Sequence, residues 1–457
     1  SSKRIVEPFP SSDAAILLPS TDAFTNAFEE AHKSIDMLFR DTEPMLVTSI
    51  NPLDQMKIPT MFWGAHTQSD STAHQRSFAA LVAVAASQKL QREGVALSDF
   101  SSRIIADIER FCPLKPTECP SSKFRTIDGT CNNVKRPSWG ANYAPMQRLI
   151  KPAYSDGISD IRVSVVDESP LPNVRLLSNS LFGESDQKPL KVNMLVTHWA
   201  HFVYTDMVHI GSVQLSQGGR HIPLPCCSSE PLHPECLPVI VDADDPRYGG
   251  FLNCMPYART TLAPRQFCAL GPREQANQAT SYLDASVIYG STPNRGSVLR
   301  TFRDGQLLTS VESINGKMPP TSKIIDSMLT ASSACASNGG KICFMSGTEH
   351  VNFLPSVTTL HTIWIRQHNR IAASLLAINP KWTDEQLFEE SRRIVAAQLQ
   401  HITYNEFLPI VVGRENWMKY GLQSEPFGFG DSYSLDVDAS IINSYAAVVG
   451  QVVYPQF

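Results

Sequence analysis

The sequence predicts a mainly α-helical protein with long, disulfide-braced loops and little β-structure. Apolar residues recur at helical spacing over several long stretches, which indicates amphipathic helices. The stretch from Cys226 to Pro272 is instead rich in Pro, Gly and Cys, a composition typical of an ordered loop pinned by disulfides. At 457 residues the chain can bury a sizeable core, and its length alone allows two or three domains.

Most of the predicted elements are these amphipathic helices. The dipeptide Cys112-Pro113 is expected to end the helix predicted over 97–111, because proline cannot continue a helix. Pro380 and Pro409 are expected to act as stops in the same way for the last two. In chain order, the predicted helices are 23–40, 77–93, 97–111, 191–210, 357–376 and 384–400.

The composition excludes several classes of function. A hydrophobic share of 42% and a charged share of 18% are ordinary for a globular protein, so disorder is not expected. A formal net charge of −5 gives no reason to expect a nucleic-acid partner or an anionic membrane surface. Because the chain has no run of about eighteen apolar residues, no membrane span is predicted.

The most informative motif is TSYLDASVIYGST, from Thr280 to Thr292. Side-chain oxygens of Thr280, Asp284 and Ser286 alternate there with the carbonyl oxygens of Thr280 and Tyr282. Calcium prefers six to eight oxygen ligands at roughly 2.4 Å in tolerant geometry, which such a loop supplies once another carboxylate joins it. An ordinary strand-to-turn segment with local hydrogen bonds is the alternative for the motif taken alone.

Five segments in order resemble the animal haem peroxidases, the group that contains myeloperoxidase, lactoperoxidase and peroxidasin. The resemblance implies an animal haem peroxidase-like helical fold over 119–457, ending soon after the position of the proximal haem ligand, with 1–118 as an N-terminal helical extension or pro-region-like segment of the invertebrate type. The segments are the calcium-loop motif above, CNNVKRPSWGANYAPMQRLIKPAYSDG from Cys131, CLPVIVDADDPRYGGFLNCMPYART from Cys236, LHTIWIRQHNRIAASLLAINPKW from Leu360, and ESRRIVAAQLQHITYNEFLPIVVG from Glu390.

The resemblance also implies a disulfide framework for most of the ten cysteines. Cys112 and Cys268 have no partner in the family pattern, so they pair with each other or stay free. Because such a framework persists in oxidising compartments, the chain is expected to be secreted and extracellular. The implied pairs are Cys119–Cys131, Cys226–Cys236, Cys227–Cys254 and Cys335–Cys343.

The resemblance implies that the family's catalytic and haem-esterifying residues are replaced in this chain. The helix that carries the proton-transferring His and a haem-esterifying Asp reads WAHFVYTD here, which puts Thr205 and Tyr204 at those two positions and keeps Asp206 as the calcium carboxylate. His350 stands where the family has its catalytic Arg, and Phe353 stands at the second haem-esterifying carboxylate. Threonine has no group that titrates near pH 7, so it cannot replace histidine as a base.

The proximal ligand is also replaced. Aligning GQVVYP with the family's GH-x-x-x-P pattern puts Gln451 at the iron-ligand position, and a shift of three residues would put Tyr454 there. Tyrosine can bind haem iron, whereas neutral glutamine is a poor ligand. His198, His201 and His350 are substitute ligand candidates, but nothing in their spacing directs them at a common iron, so a solvent-facing or hydrogen-bonded role is the expectation for each.

The resulting functional prediction is a secreted pseudo-peroxidase with a structural, adhesive or storage role, which binds calcium and lacks haem. One alternative is a protein that binds a pigment or lipid in the vacated haem pocket. The other is a haem oxidoreductase with an unusual axial ligand such as Tyr454. The expected partners are a second chain from the same precursor that supplies C-terminal helices, or further copies in a homo-oligomer.

Overall fold

The computed structural model is mostly helical, as predicted, with only short strands. It describes residues 21–49, 71–95, 118–182, 192–217, 220–227, 233–265, 269–310, 316–321, 343–425, 427–428, 430 and 433–451. No helix within these ranges is long and apolar enough to cross a bilayer.

The helices fall into an N-terminal group, a central group and a C-terminal group. Pi-helical turns follow α1 (Leu38–Thr42) and α9 (Thr403–Phe407), and a 3-10 turn (Glu349–Asn352) precedes α8. The α-helices are α1 (Thr21–Met37), α2 (Glu43–Ser49), α3 (Ser71–Arg92), α4 (Val174–Leu181), α5 (Met194–Met207), α6 (Ser286–Tyr289), α7 (Pro293–Val298), α8 (Pro355–Ile378), α9 (Asp384–Ile402), α10 (Leu408–Val411), α11 (Arg414–Lys419) and α12 (Asn443–Ala447).

Three antiparallel two-stranded sheets are found among the described residues. Each is a local pairing, because the partners lie close in sequence and are two to four residues long. They brace the loops between α5 and α6. The pairs are β1 (Gln214–Gln217) with β2 (Arg220–Pro223), β3 (Val239–Ile240) with β4 (Cys254–Met255), and β5 (Leu262–Ala263) with β6 (Glu274–Gln275).

The observed helix ends have identifiable local causes. Helix α5 begins where the Asn193 side chain accepts a hydrogen bond from the Leu195 amide. Helix α9 begins with a reciprocal capping box between Thr383 and Gln386. Helix α8 ends two residues before Pro380, as predicted. Pro409 does not stop the helical path, because it lies in the first turn of α10, where its missing N–H costs nothing. The helix predicted over 97–111 lies outside the described residues.

The largest hydrophobic core lies where α5, α8 and α9 meet. Trp199 of α5 stacks on Phe202 with ring centroids 5.7 Å apart and lies 6.1 Å from Trp364 of α8. Helix α9 adds Phe388 and Leu399, both almost fully buried. Burial of large aromatic side chains is the main favourable term here, at roughly 25 cal/mol per Å² of apolar surface removed from water. This core holds α5 firmly, and α5 carries the residues of the candidate site.

The N-terminal helices pack against the rest of the chain. Ala27 of α1 and Ala86 of α3 are completely buried where these helices meet. The Ser87 hydroxyl accepts a 3.0 Å hydrogen bond from the Gly271 amide, in the loop between β5 and β6. The assignment of 1–118 as a separate extension stays a prediction, and the described part of it shares buried surface with the peroxidase-like region.

The cysteines form the predicted short-range pairs. Cys119–Cys131, Cys226–Cys236 and Cys227–Cys254 are all present. Cys343 is disulfide-bonded, and its predicted partner Cys335 lies outside the described residues. Cys112 and Cys268 also lie outside them, so their pairing stays open. These bridges constrain loops that have little secondary structure of their own.

Candidate functional site

The loop after Thr280 folds back onto the end of α5. Ala285 adopts the left-handed conformation, with φ of 65°, which turns the chain so that the amides of Ala285 and Val287 face Asp206. Asp206 Oδ2 accepts from the Ala285 amide at 3.2 Å, and Oδ1 accepts from the Val287 amide at 3.1 Å. The Ser286 hydroxyl lies 2.6 Å from the Asp206 carbonyl oxygen and 3.1 Å from Oδ1. Asp206 is therefore joined to a segment some eighty residues away in sequence.

Asp284 occupies the other side of the same cluster. Its Oδ2 accepts a 2.8 Å hydrogen bond from the Thr280 hydroxyl, and its Oδ1 accepts one from the Ser286 amide at 3.1 Å. The Tyr282 carbonyl lies 3.5 Å from the Thr280 hydroxyl, at the edge of hydrogen-bonding distance. The five residues predicted as calcium ligands thus lie in one cluster of oxygen atoms.

The two carboxylates of this cluster repel each other in a buried setting. Burial raises the pKa of Asp206 well above its usual range, and the Asp284 charge raises it further. Burial also raises the pKa of Asp284, against the opposing effect of its Thr280 hydrogen bond. A divalent cation would remove this repulsion, and all the donors are oxygens, which suits calcium. No three His, Cys, Asp or Glu side chains within the described ranges are grouped closely enough to hold a metal ion, so any site here depends on hydroxyl and carbonyl oxygens as well.

The two residues before Asp206 are committed to protein contacts. The Thr205 hydroxyl lies 3.0 Å and 3.1 Å from the carbonyl oxygens of His201 and Phe202, one turn earlier in α5. The Tyr204 hydroxyl donates a 2.7 Å hydrogen bond to the Ala446 carbonyl oxygen of α12. Both side chains are buried. Tyr204 therefore holds α5 against α12, whereas the Thr205 hydroxyl is satisfied within its own helix.

Tyr204 also contacts the segment that carries Gln451. The Gln451 side-chain amide donates to the Tyr204 hydroxyl at 3.2 Å and to the Ala446 carbonyl oxygen at the same distance. Gly450 lies against the Tyr204 ring so closely that an added Cβ would overlap the ring carbons. Tyr454 lies outside the described residues. Residues 204 and 451 are thus in direct contact.

Four histidines lie close together, of which His201 and His361 are fully buried and His209 and His350 are half-buried. His350 lies 5.7 Å from His201 and 5.8 Å from His209 between ring centroids, in both cases edge to face. His201 also stacks on Phe353 at 5.3 Å. The fourth, His361 of α8, bonds Ser346 Oγ through Nδ1 at 2.9 Å. The fold brings His201 and His350 together, although nothing in their sequence spacing indicated this. His198 is different, since it lies 3.4 Å from the Ser356 hydroxyl and is half-buried.

This histidine cluster, defined as His201, His209, His350 and His361, is held neutral. Burial lowers the pKa of His201 to about 4 and that of His361 to about 3. Burial, followed by the three neighbouring imidazoles, holds the pKa of His350 well below its usual range. Burial also lowers the pKa of His209, although Glu349 acts in the opposite direction. Among the described residues, the Nε2 atoms of His209 and His361 have no hydrogen-bond partner.

Comparison with known proteins gives these positions their context. The family model described as animal haem peroxidase matches residues 124–456. The chain belongs to the animal haem peroxidase family. Chorion peroxidase from Drosophila melanogaster is 34% identical over 382 residues, which cover 78% of this chain and 45% of that protein. Chorion peroxidase from Aedes aegypti is 35% identical over 372 residues, with 79% and 44% covered. The chain therefore spans about half the length of these relatives.

A solved structure supports the same assignment. Peroxidase A from Dictyostelium discoideum aligns with a TM-score of 0.53 and 25% identity, over 71% of this chain and 58% of that one. The fold class predicted from the sequence is confirmed, because both the family model and this structure belong to peroxidases.

Animal haem peroxidases place haem between a proximal iron ligand and a distal proton-transferring residue. The sequence predicts Tyr204 and Phe353 at the haem-anchor positions and Gln451 at the ligand position. Tyr204 bonds directly to Gln451, and its ring fills the space next to Gly450. Phe353 stacks on His201 and offers no carboxylate. With these residues at those positions, the described part of the chain does not fit haem held in the family's manner.

Sequence reasoning missed two members of the histidine cluster. His361 lies four residues from both Val357 and Ile365, which are buried on the same face of α8, and this helical spacing could have identified it as a buried residue. For His209 the sequence contains no such signal. Only the tertiary fold places it against His350, which is distant in sequence.

Proposed function

We propose that this chain is a secreted, calcium-braced pseudo-peroxidase that serves a non-catalytic structural, adhesive or storage role. The observation that carries the proposal is the direct contact between Tyr204 and the Gly450–Gln451 turn. An active member needs room for a haem macrocycle between the distal helix and the proximal ligand. Here a hydrogen bond of 3.2 Å joins the two positions.

The state of Thr205 supports the same function. Its hydroxyl is buried and bonded to the α5 backbone, so it has neither the position nor the pKa of a proton-transferring group. His350, at the position of the charge-stabilising arginine, is neutral because its pKa is depressed. A neutral imidazole would stabilise a developing negative charge far less than a guanidinium does.

Calcium would act as a brace between α5 and the Thr280 loop. Asp206, Thr280, Tyr282, Asp284 and Ser286 would hold it, and its charge would replace carboxylate repulsion with attraction. A ligand that binds only the folded state stabilises it by mass action. The stabilisation by calcium would therefore grow with the free calcium concentration. The disulfides and the chorion peroxidase relatives support a secreted protein.

An ultraviolet–visible spectrum of the purified protein, before and after incubation with haem and repurification, tests the proposal. The expected spectrum has only the aromatic band in both cases. Peroxidase turnover with a phenolic substrate is expected to be at least about a hundredfold below that of a chorion peroxidase relative, equivalent to about 2.7 kcal/mol of barrier. A Soret band together with turnover within about tenfold of the relative would reject the pseudo-peroxidase function.

A haem peroxidase with an unusual ligand is the second candidate. Its supporting observation is the identity of 34% to 35% with proteins named peroxidase. A Soret band that disappears in Tyr454→Phe but persists in Tyr433→Phe would establish it. A visible absorption that belongs to neither haem nor protein would instead favour the binding of a pigment in the vacated pocket.

A further inference from the structure

A surface pocket of about 270 Å³ lies apart from the calcium cluster and the histidine cluster, and none of its lining residues belongs to either. It is formed by the segment 148–162, by Leu237 and Arg259 from the loops around β3 and β5, by β6 and by the start of α12. Three of the lining side chains are arginines, and none of the residues that line it is acidic. The polar lining residues are Arg148, Tyr154, Arg162, Arg259, Gln275 and Asn443.

Tyr154 forms a fixed aromatic wall in this pocket. Its ring lies under the guanidinium groups of Arg148 and Arg259, at 5.8 Å and 5.9 Å from the centroid. Its hydroxyl donates to the Arg273 carbonyl oxygen at 3.2 Å and accepts from the Gln275 amide at 2.9 Å. Since both ends of the side chain are held, the ring is ordered before any ligand arrives, which lowers the entropic cost of binding.

The arginines leave an excess of positive charge. Arg148 forms an ion pair with Glu274 at 2.6 Å, but Arg265 shares the same carboxylate at 3.1 Å. Arg259 donates to the Ser159 carbonyl oxygen at 2.8 Å, which neutralises no charge. Within the described part of the chain, neither Arg259 nor Arg162 has a carboxylate within ion-pair distance. Such a site favours a ligand that brings negative charge.

The size and chemistry of the pocket define the ligand class. A guanidinium group matches the spacing of two oxygens on a tetrahedral anion and binds it with charge-assisted hydrogen bonds. A volume of about 270 Å³ exceeds what a bare inorganic anion fills, and Tyr154 offers a ring for stacking. We propose that this pocket binds the phosphate or sulfate ester of a small ring compound, with Arg162 and Arg259 contacting the oxyanion and Tyr154 contacting the ring.

Arg162 is the residue best suited to test the site. It is exposed, and its contact with the Ala153 carbonyl oxygen, at 3.5 Å, is at the limit of a hydrogen bond. The Arg162→Gln variant is therefore expected to fold normally. Arg303→Gln is the matched control, because the Arg303 side chain is 86% exposed and belongs to a different turn. Melting curves of both variants establish that they are folded.

Calorimetric titration at constant ionic strength with phenyl phosphate, phenyl sulfate, inorganic phosphate and inorganic sulfate tests the proposal. We expect saturable binding of at least one ester, about tenfold tighter than its inorganic anion, with Arg162→Gln weakening it about fivefold to tenfold and Arg303→Gln leaving it unchanged. A preference between the two esters identifies a phosphorylated or a sulfated source.

Two results would overturn the proposal. Equal affinities for an ester and its inorganic anion would remove the assignment to a ring-bearing ligand. If neither ester binds saturably, or if Arg162→Gln and Arg303→Gln lose the same affinity, the pocket is not a binding site. Arg259→Gln is a second, independent test, because a true site loses affinity in both Arg162→Gln and Arg259→Gln. None of these outcomes depends on haem, calcium or peroxidase activity.

Discussion

At the scale of single residues, burial controls the charge of the two polar clusters. Burial lowers the pKa of the imidazoles of the histidine cluster and raises the pKa of the carboxyls of Asp206 and Asp284. Both effects arise because a low-dielectric interior disfavours the charged form, but they depend on pH in opposite directions. Two predictions separate them.

The histidine cluster should destabilise the protein in acid. The unfolded imidazoles titrate near 6.5, and the folded pKa of His201 is about 4, so the unfolded chain binds more protons between these values. Stability is therefore fully present above about pH 6.5 and is lost as the pH falls toward 4. The free energy of unfolding is measured in urea between pH 7 and pH 4.5 with calcium present. We expect His350→Gln to reduce its slope against pH by up to about 1.4 kcal/mol per pH unit. His401→Gln, at an exposed position, should leave the slope unchanged. Equal slopes for His350→Gln and His401→Gln would contradict the explanation.

Because of the carboxylate pair, the stabilisation of the protein by calcium should increase with pH. For an acid whose folded pKa is raised, stability in the metal-free protein is present at low pH and lost as the pH rises through the folded pKa. Calcium favours the charged forms, so the melting temperature should rise by several degrees on adding calcium at pH 8 and by less at pH 5.

The Asp206→Asn variant should abolish this rise, since it removes one of the two carboxylates. Asp304→Asn, on a surface turn, should keep it. A calcium-dependent shift that survives in Asp206→Asn would place the ion elsewhere.

At the scale of elements, the relation between α5 and α12 is the decisive contact. Tyr204 provides both the packing against Gly450 and the hydrogen bond to the α12 carbonyl oxygen. Helix α5 is also held from the other side, where the Trp199 indole donates to the Thr403 hydroxyl at 3.3 Å. Helix α5 is thus held on two sides.

Removing the Tyr204 hydroxyl should weaken this contact. We expect Tyr204→Phe to lower the free energy of unfolding by about 1 to 2 kcal/mol, because the Ala446 carbonyl and the Gln451 amide lose a buried partner. Tyr420→Phe, at a ring that is 67% exposed, is the matched control and should change stability little. Chemical denaturation measures both, and a neutral Tyr204→Phe would show that the contact does not hold the helices together.

At the scale of the whole molecule, the N-terminal helices and the peroxidase-like region share buried surface. Ala86 of α3 has no exposed surface, whereas Ala373 of α8 is exposed. If both regions form one cooperative unit, Ala86→Leu should destabilise the whole chain by about 1 to 3 kcal/mol through overpacking, in a single unfolding transition. Ala373→Leu should be close to neutral. Two separate transitions, only one of them shifted by Ala86→Leu, would support 1–118 as an independent unit.

The predicted partners belong to this scale as well. A second chain from the same precursor and a homo-oligomer are distinguishable by intact mass spectrometry combined with light scattering of the native protein. A co-purifying chain of different mass would establish the first, and a native mass that is a multiple of this chain would establish the second.

The helices and disulfides could be predicted from the sequence because their signals are local. Apolar spacing identified α8 and α9 nearly to their ends, and proline marked the end of α8. The prediction that Pro409 stops a helix was wrong, because proline is tolerated in the first turn of a helix, where Pro409 lies in α10. The oxygen-rich loop after Thr280 was also readable, since its donors lie within a few residues of each other.

The sequence alone therefore determined the family, the helical fold and the described short disulfides, and it predicted that Thr205, His350 and Gln451 stand at the catalytic positions. Only the tertiary structure decided what these three residues contact. The contact between Tyr204 and Gln451, the histidine cluster and the arginine pocket each join residues far apart in the chain. Spacing along a sequence carries no information about such pairs, because the packing of whole helices sets their distances and the resulting burial sets their charge.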